Sequence, residues 1–188
     1  MINSKKDFKD YLFYDEIARF GKKVTFYKKM KTGKMWRFNV LLRKCEYYQN
    51  KHKLLFLITF FKLKKIELLL GWDVPINVCD KGLCIVHYGP VIINSGAKIG
   101  KNCRIHVGVN IGSNGGGKKD TPTIGENVYI GPGAKIFGKI EIGNNCVIGA
   151  NSVVNKSFAA NHTIAGIPAK IISKNNSERF IKKIERGI

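Results

Sequence analysis

Two periodicities divide the chain. Up to about Leu70, apolar residues recur at spacings of three and four, and the only Gly residues of that stretch, Gly21 and Gly33, fall where the pattern breaks. This is the repeat of amphipathic helices. It predicts helices near 5 to 20, 24 to 31 and 36 to 69, with Ser4 as the cap of the first, Asp7 in its first turn, and Gly71 closing the last. From Pro75 onward the period becomes six. Ile stands at 93, 99, 105 and 111, then at 124, 130, 136, 142 and 148, and Val154 continues the series. Four residues after these lie Ala97, Cys103, Val109, Val128, Ala134, Ile140, Cys146, Ser152 and Phe158. Gly follows the Ile at 99, 111, 124, 130, 142 and 148.

Ordinary antiparallel strands do not demand a fixed period of six. A hexapeptide with Ile pointing inward, Gly and its neighbour turning the chain, and a small residue packed beside the turn is one short strand plus a corner. Three such units make a coil of about 18 residues, and coils stacked about 4.8 Å apart bury a continuous Ile column while pairing their backbones. The fold class expected is mainly β, a parallel β-helix over 71–172 behind a helical region over 1–70, with a basic tail or short helix over 173–188. The Ile phase breaks once, between Ile111 and Ile124, where 13 residues replace the 12 of two units. The stretch 112–123 is therefore a loop with SNGGGKKD at its tip.

Charge changes the picture of the first region. The 188 residues carry 33 Lys plus Arg against 13 Asp plus Glu, a net +20, while an apolar share of 44% is that of a globular chain. Residues 1–70 hold 18 of the bases and 6 of the acids. A solvated basic face is the plain reading; docking on an anionic membrane or polyanion is the other. A nucleic-acid partner is not expected, because no recognition motif accompanies the charge. Five Cys without a CxxC pair suit a reducing compartment, the opening segment lacks the apolar core of a signal peptide, and the longest apolar run, Leu54 to Phe61, is eight residues long. A cytoplasmic protein is expected, with peripheral contact at the inner membrane face as an option. GGGKK lacks the spacing of a phosphate-binding P-loop, and Cys79 and Cys84 have no His at zinc spacing, so no metal is expected.

His87 occupies the phase otherwise held by Ile, one unit before Ile93, and a polar ring at a core position demands a reason. The hexapeptides, ending in AGIPAKII (Ala165 to Ile172), resemble the left-handed parallel β-helix acyltransferases. The stretch Gly71 to Ile172 is similar to the serine acetyltransferase branch, through GWDVP (Gly71 to Pro75), GLCIVHYGPVII (Gly82 to Ile93), the run from Val109 to Val154, and GIPAK. Its pattern lies closest to bacterial capsule and exopolysaccharide O-acetyltransferases, which carry a shorter helical part. The resemblance implies a left-handed coil, a homotrimer with active sites between subunits, and acetyl-CoA as donor. It also implies that His87 is the general base taking the proton of an acceptor hydroxyl, a task suited to imidazole near neutral pH. Asp73 matches the carboxylate that orients such a base, 14 residues upstream of His87, with Asp80 as the fallback.

By the same resemblance the Gly112 amide contacts the reacting end of the cofactor, Pro132 and Ala150 line the pantetheine groove, and Lys156 and Lys170 face the nucleotide phosphates. His106 is a candidate for acceptor contact, but, three units past His87, it is expected to be too far away within one subunit. His52 and His162 read as surface residues. Serine recognition in the resembling enzymes uses an acid immediately before the catalytic His and an Arg-His pair before a Pro. Here Val86 precedes His87, and the loop reads Lys119, Asp120, Thr121, Pro122. With that clamp missing, and with Asp120 and Thr121 left as the loop's acceptor contacts, the expected acceptor is a sugar hydroxyl of a surface polysaccharide or its precursor. L-serine is the alternative, and a non-catalytic trimeric scaffold is the alternative of another class.

Overall fold

A computed structural model of the protein describes residues 2–25, 27, 29, 33–115 and 117–183. Three helices bounded by described residues, α1 (Lys5–Phe20), α2 (Gly33–Tyr48) and α3 (Lys53–Leu70), precede the strands. Ser4 caps α1 as expected, Asp7 returning a bond to the Ser4 amide, and Gly71 ends α3 in the left-handed conformation. The helix expected over 24 to 31 falls largely on residues outside those described. The single helix expected over 36 to 69 is two: the polar stretch Gln49 to His52 breaks it, and α3 returns against α2.

Fourteen short strands follow: β1 (Trp72–Asp73), β2 (Cys84–Ile85), β3 (Val91–Ile93), β4 (Lys98–Ile99), β5 (Arg104–Ile105), β6 (Asn110–Gly112), β7 (Thr123–Ile124), β8 (Tyr129–Ile130), β9 (Lys135–Phe137), β10 (Glu141–Ile142), β11 (Val147–Ile148), β12 (Val153–Val154), β13 (Thr163–Gly166) and β14 (Ala169–Ser173). The chain visits three parallel sheets in rotation. Strands β2, β5, β8, β11 and β13 make the first face, β1, β3, β6, β9 and β12 the second, and β4, β7 and β10 the third. The registers stack the pattern residues directly: Ile85 on Ile105, Ile130, Ile148 and Ile164; Ile93 on Ile111, Ile136 and Val154; Ile99 on Ile124 and Ile142. All are buried, as are Ala97, Cys103, Val109, Val128, Ala134, Ile140, Cys146, Ser152 and Phe158. β14 turns back antiparallel on β13 and closes the first face. Residues 174–183 form no helix; their turns run back over the coils, Phe180 packs on Tyr129, and Lys182 Nζ donates to the Arg19 carbonyl at 2.7 Å. Residues 184–188 of the expected C-terminal helix lie outside the description.

The corners differ from expectation in one respect. The turning residue on the third corner, between the third and first faces, is an Asn: Asn102, Asn127, Asn145 and Asn161 all have positive φ, and their amides ladder from coil to coil at 2.9 to 3.1 Å. Gly after Ile answers a different need. A Cβ on Gly100 would sit 2.7 Å from the Gly125 backbone of the next coil, so close stacking rather than φ excludes a side chain there.

The helical region covers the first coil. That coil has no strand above it, so its outward backbone groups need other partners. Side chains of the helices supply them. Asp15 accepts from the Gly82 and Leu83 amides at 2.8 and 2.9 Å, and Glu46 from Asn77 at 2.8 Å. Arg43 donates to the Cys79 and Asp80 carbonyls, both at 2.8 Å, Asn39 to Leu83, and Arg19 to Ile85. Arg43 is fully buried between Asp15 and Glu46, each at 2.9 Å. Burial alone would lower its pKa, but the two carboxylates hold the guanidinium well above its ordinary value. All five Cys are free and buried, and burial pushes the Cys45 and Cys103 thiols up to about 12.

Candidate active site

Two insertions break the count of six. Ile85 and Ile93 are eight residues apart, and it is Ile85, paired with Ile105, that fills the core column. His87 is therefore not at a core position. It lies on the extra turn between β2 and β3, exposed, with φ 72°. Every other described non-glycine residue with positive φ is an Asn, so His87 alone holds that conformation without the usual side chain for it. Backbone strain of this kind collects at functional positions. The turn is tied down on both sides: Gly89 N donates to the Leu70 carbonyl at 2.9 Å, and the Pro90 carbonyl accepts from Gly108 N at 2.7 Å. A side chain on Gly89 would collide with Val107.

His106 is much nearer than expected. Three hexapeptides are one full coil, so His106 lies one layer below His87, with ring centroids 6.0 Å apart. Its ring continues to Tyr129 at 4.9 Å and thence to Phe180 at 4.6 Å. Half-burial, then Arg104 and His87, lower its pKa to about 4, and its Nε2 is enclosed without a hydrogen-bond partner among the described residues. A neutral imidazole with an unused nitrogen thus stands beside His87. Pro132 and Ala150 fall on the same corner in the next two coils, both exposed, linked by Asn151 N to the Pro132 carbonyl at 2.8 Å. Lys170, on β14 opposite Ala165, lies exposed one strand beyond that corner.

Asp73 lies on β1, directly after the Leu70–Gly71 segment that holds the His87 turn. Its carboxylate is exposed and faces Lys64 at 3.5 Å; no hydrogen bond joins it to His87 among the described residues. Asp80 uses its side chain on the following amide, Lys81 N, at 2.7 Å.

The second insertion is the loop. Ile111 and Ile124 belong to adjacent faces of one coil, so the 13-residue step exceeds one unit, not two, and the excursion is seven residues longer than a corner needs. It leaves from Gly112 on the second corner, away from His87 in the same chain. Both Asp120 oxygens are engaged, by Asn114 N at 3.0 Å and Lys139 N at 2.8 Å, and Thr121 Oγ1 donates to the Lys118 carbonyl. These two residues brace the loop. Beneath it a groove of about 400 Å³ is lined by Lys98, Lys118, Lys119 and Lys139. Lys156, next to Ser157 of that groove, is exposed near Phe158 and does not share the histidine corner. His52 is exposed between α2 and α3, and His162 approaches the Ala159 carbonyl at 3.3 Å.

The class follows from this repeat. Residues 121–156 match the bacterial transferase hexapeptide family model, described as six repeats. The chain is 40% identical over 112 residues to a serine acetyltransferase of Synechococcus elongatus, covering 58% of this chain and 46% of that protein. It is 43% identical over 96 residues to that of Staphylococcus aureus, covering 50% and 45%. A crystal structure of serine acetyltransferase from Brucella abortus superposes with a TM-score of 0.73 at 25% identity, over 92% of this chain and 71% of that one. The chain spans just under half the length of the curated relatives it matches.

These relatives overturn the expected sugar acceptor. Proteins 35–43% identical over 96 to 115 residues are serine acetyltransferases, and the expected closeness to capsule and exopolysaccharide enzymes finds no support beside them. The error lay in treating a missing acid and a missing Arg-His pair as a missing amino-acid site. A clamp is defined by where charges converge, and substitutions at Val86 and Thr121 do not fix that.

Proposed function

We propose that this protein is an acetyl-CoA-dependent L-serine O-acetyltransferase. The observation that carries the reading is the strained, exposed His87 turn stacked on His106, in a chain 35–43% identical to serine acetyltransferases over 96 to 115 residues. His87 takes the proton of the serine hydroxyl as its oxygen attacks the thioester carbonyl; collapse of the tetrahedral intermediate breaks the C–S bond, and the imidazolium returns the proton to the departing thiolate. Asp73, released from Lys64, orients the ring. The pantetheine arm runs along Pro132 and Ala150, with Lys170 at the phosphate end.

In one chain the histidine corner is an open surface, while Gly112, the loop and Lys156 lie around another corner. A homotrimer of left-handed coils brings the second corner of one subunit to the first of the next. Asp120 and Thr121 then act through the shape of the loop. Acetyl-CoA and serine meet in the cytoplasm, and this reading assigns the reaction there.

The test is CoA release from acetyl-CoA, followed by thiol titration, with L-serine and with other hydroxyl compounds. Release should require L-serine, and His87→Ala should lower kcat/KM about 10² to 10⁴-fold with an unchanged elution volume. Serine-independent release, or near-full activity in His87→Ala, would refute the assignment.

A further inference from the structure

Helix α3 has two apolar faces where a surface helix needs one. Thr59, Leu63, Ile66, Glu67 and Leu70 are buried against α2 and the first coil. At 100° per residue, Leu54, Leu57, Ile58, Phe61 and Leu68 fall on the opposite side. All are exposed, Phe61 to 71% and Leu68 to 84%. Scattered exposed leucines need no explanation, but a continuous stripe opposite the core does.

The polar residues of the helix say what covers it. Lys62 lies along one edge of the stripe, Lys53 and Lys64 along the other, and Lys65 within it. The only acid of α3, Glu67, faces inward, where it pairs with Lys64 at 2.8 Å. The outward face is thus apolar at its centre, cationic at its edges and free of acids. A second copy pairing stripe to stripe is a poor occupant, since it would set lysine against lysine between chains of net charge +20. Nor is the helix a span: no helix among the described residues is long and apolar enough to cross a membrane. An interface between hydrocarbon and anionic headgroups offers both complements at once, with the stripe shallowly buried and the lysine stems reaching back to phosphate.

We propose that the outer face of α3 docks this protein on anionic lipid bilayers, with α3 lying in the plane of the surface. The docking is a function separate from acetyl transfer and meets the active site only through Lys64, which faces Asp73 at 3.5 Å.

Flotation of the full chain with phosphatidylcholine vesicles, with and without phosphatidylglycerol, tests it. Binding should require phosphatidylglycerol and weaken as salt is raised. Lys62→Gln with Lys65→Gln should weaken it about 25-fold, roughly fivefold per lysine, and Phe61→Ser with Leu68→Ser more than about tenfold. All these side chains are at the surface, so circular dichroism should stay unchanged. Absence of binding to phosphatidylglycerol vesicles, or equal binding by both variants and the parent, would overturn the proposal. So would a Phe61/Leu68 variant that sediments as a smaller species while floating as before, since a second copy would then cover the stripe.

Discussion

The coils and the helical cap solve opposite problems. Within the stack every coil finds the next, so backbone groups pair with backbone and the interior is left to apolar columns such as Ile105, Ile130 and Ile148. At the top no further strand exists, and the same groups are met by Asp15, Arg43, Asn39, Arg19 and Glu46. Apolar packing holds the repeat; buried charge ends it. The cap is where an open β edge, which would otherwise pair with another chain, is made into a protein surface.

The strongest way to break that contrast is Arg43→Met. It removes one partner from Asp15 and Glu46 at a fully buried site and should cost about 3 to 5 kcal/mol, or about 10 °C or more in melting temperature. A free-standing buried ion pair can often be replaced whole by apolar residues without loss. Here the triple change Asp15→Leu, Arg43→Met, Glu46→Leu should not restore stability, because the backbone groups of the first coil stay unpaired. Recovery by calorimetry would show that the charges serve only each other. In the stack, Ile130→Ala should cost about 2 to 5 kcal/mol and Ile130→Val about 0.5 to 1.5 by the same measurement. A cost graded by volume is the mark of a column held by packing alone.

What could be read from the sequence follows the same division. The Ile column, the small residues packed beside it and the Ser4 cap all obey local or strictly periodic rules, and they stand where the pattern puts them. The cap's role was not legible, since Asp15 and Arg43 on helical spacings look like any surface charges, and their backbone partners in the first coil lie 36 to 68 residues away. His87 was found as a candidate but misplaced, because a two-residue insertion shifted the phase onto Ile85. His106 was misjudged by counting distance along the chain instead of around the coil. The Asn ladder had a signal, Asn three places after Ile99, Ile124 and Ile142, which attention to Gly concealed.

That ladder provides a smaller test. Asn127→Ala keeps a β-carbon at φ 55° but removes the short polar side chain that lets Asn tolerate it, which costs about 1 to 2 kcal/mol, and also cuts the bonds to Asn102 and Asn145. Asn127→Gly keeps the turn and loses only the ladder, so it should be the milder change in denaturant unfolding. Equal losses would assign the whole effect to the side-chain amides.

The smallest effect is the pH response of His106. Its folded pKa, about 4, lies below the ordinary value of 6.5 because half-burial, Arg104 and His87 disfavour the cation. The unfolded chain therefore binds the proton first, and the stability His106 permits is fully present above pH 6.5 and lost as pH falls from 6.5 toward 4. With the ring half-exposed, solvent screening leaves about 1 kcal/mol of this, or about 2 to 4 °C in melting temperature. His106→Gln should flatten the decline over that window while leaving the melting temperature at pH 8 nearly unchanged. In His87→Ala the His106 ring proton, followed by NMR titration, should move at a higher pH than in the parent, since one of the three influences lowering it is gone. An unmoved titration would mean that the two rings, though 6.0 Å apart, do not sense each other, and the histidine corner would then be two sites and not one.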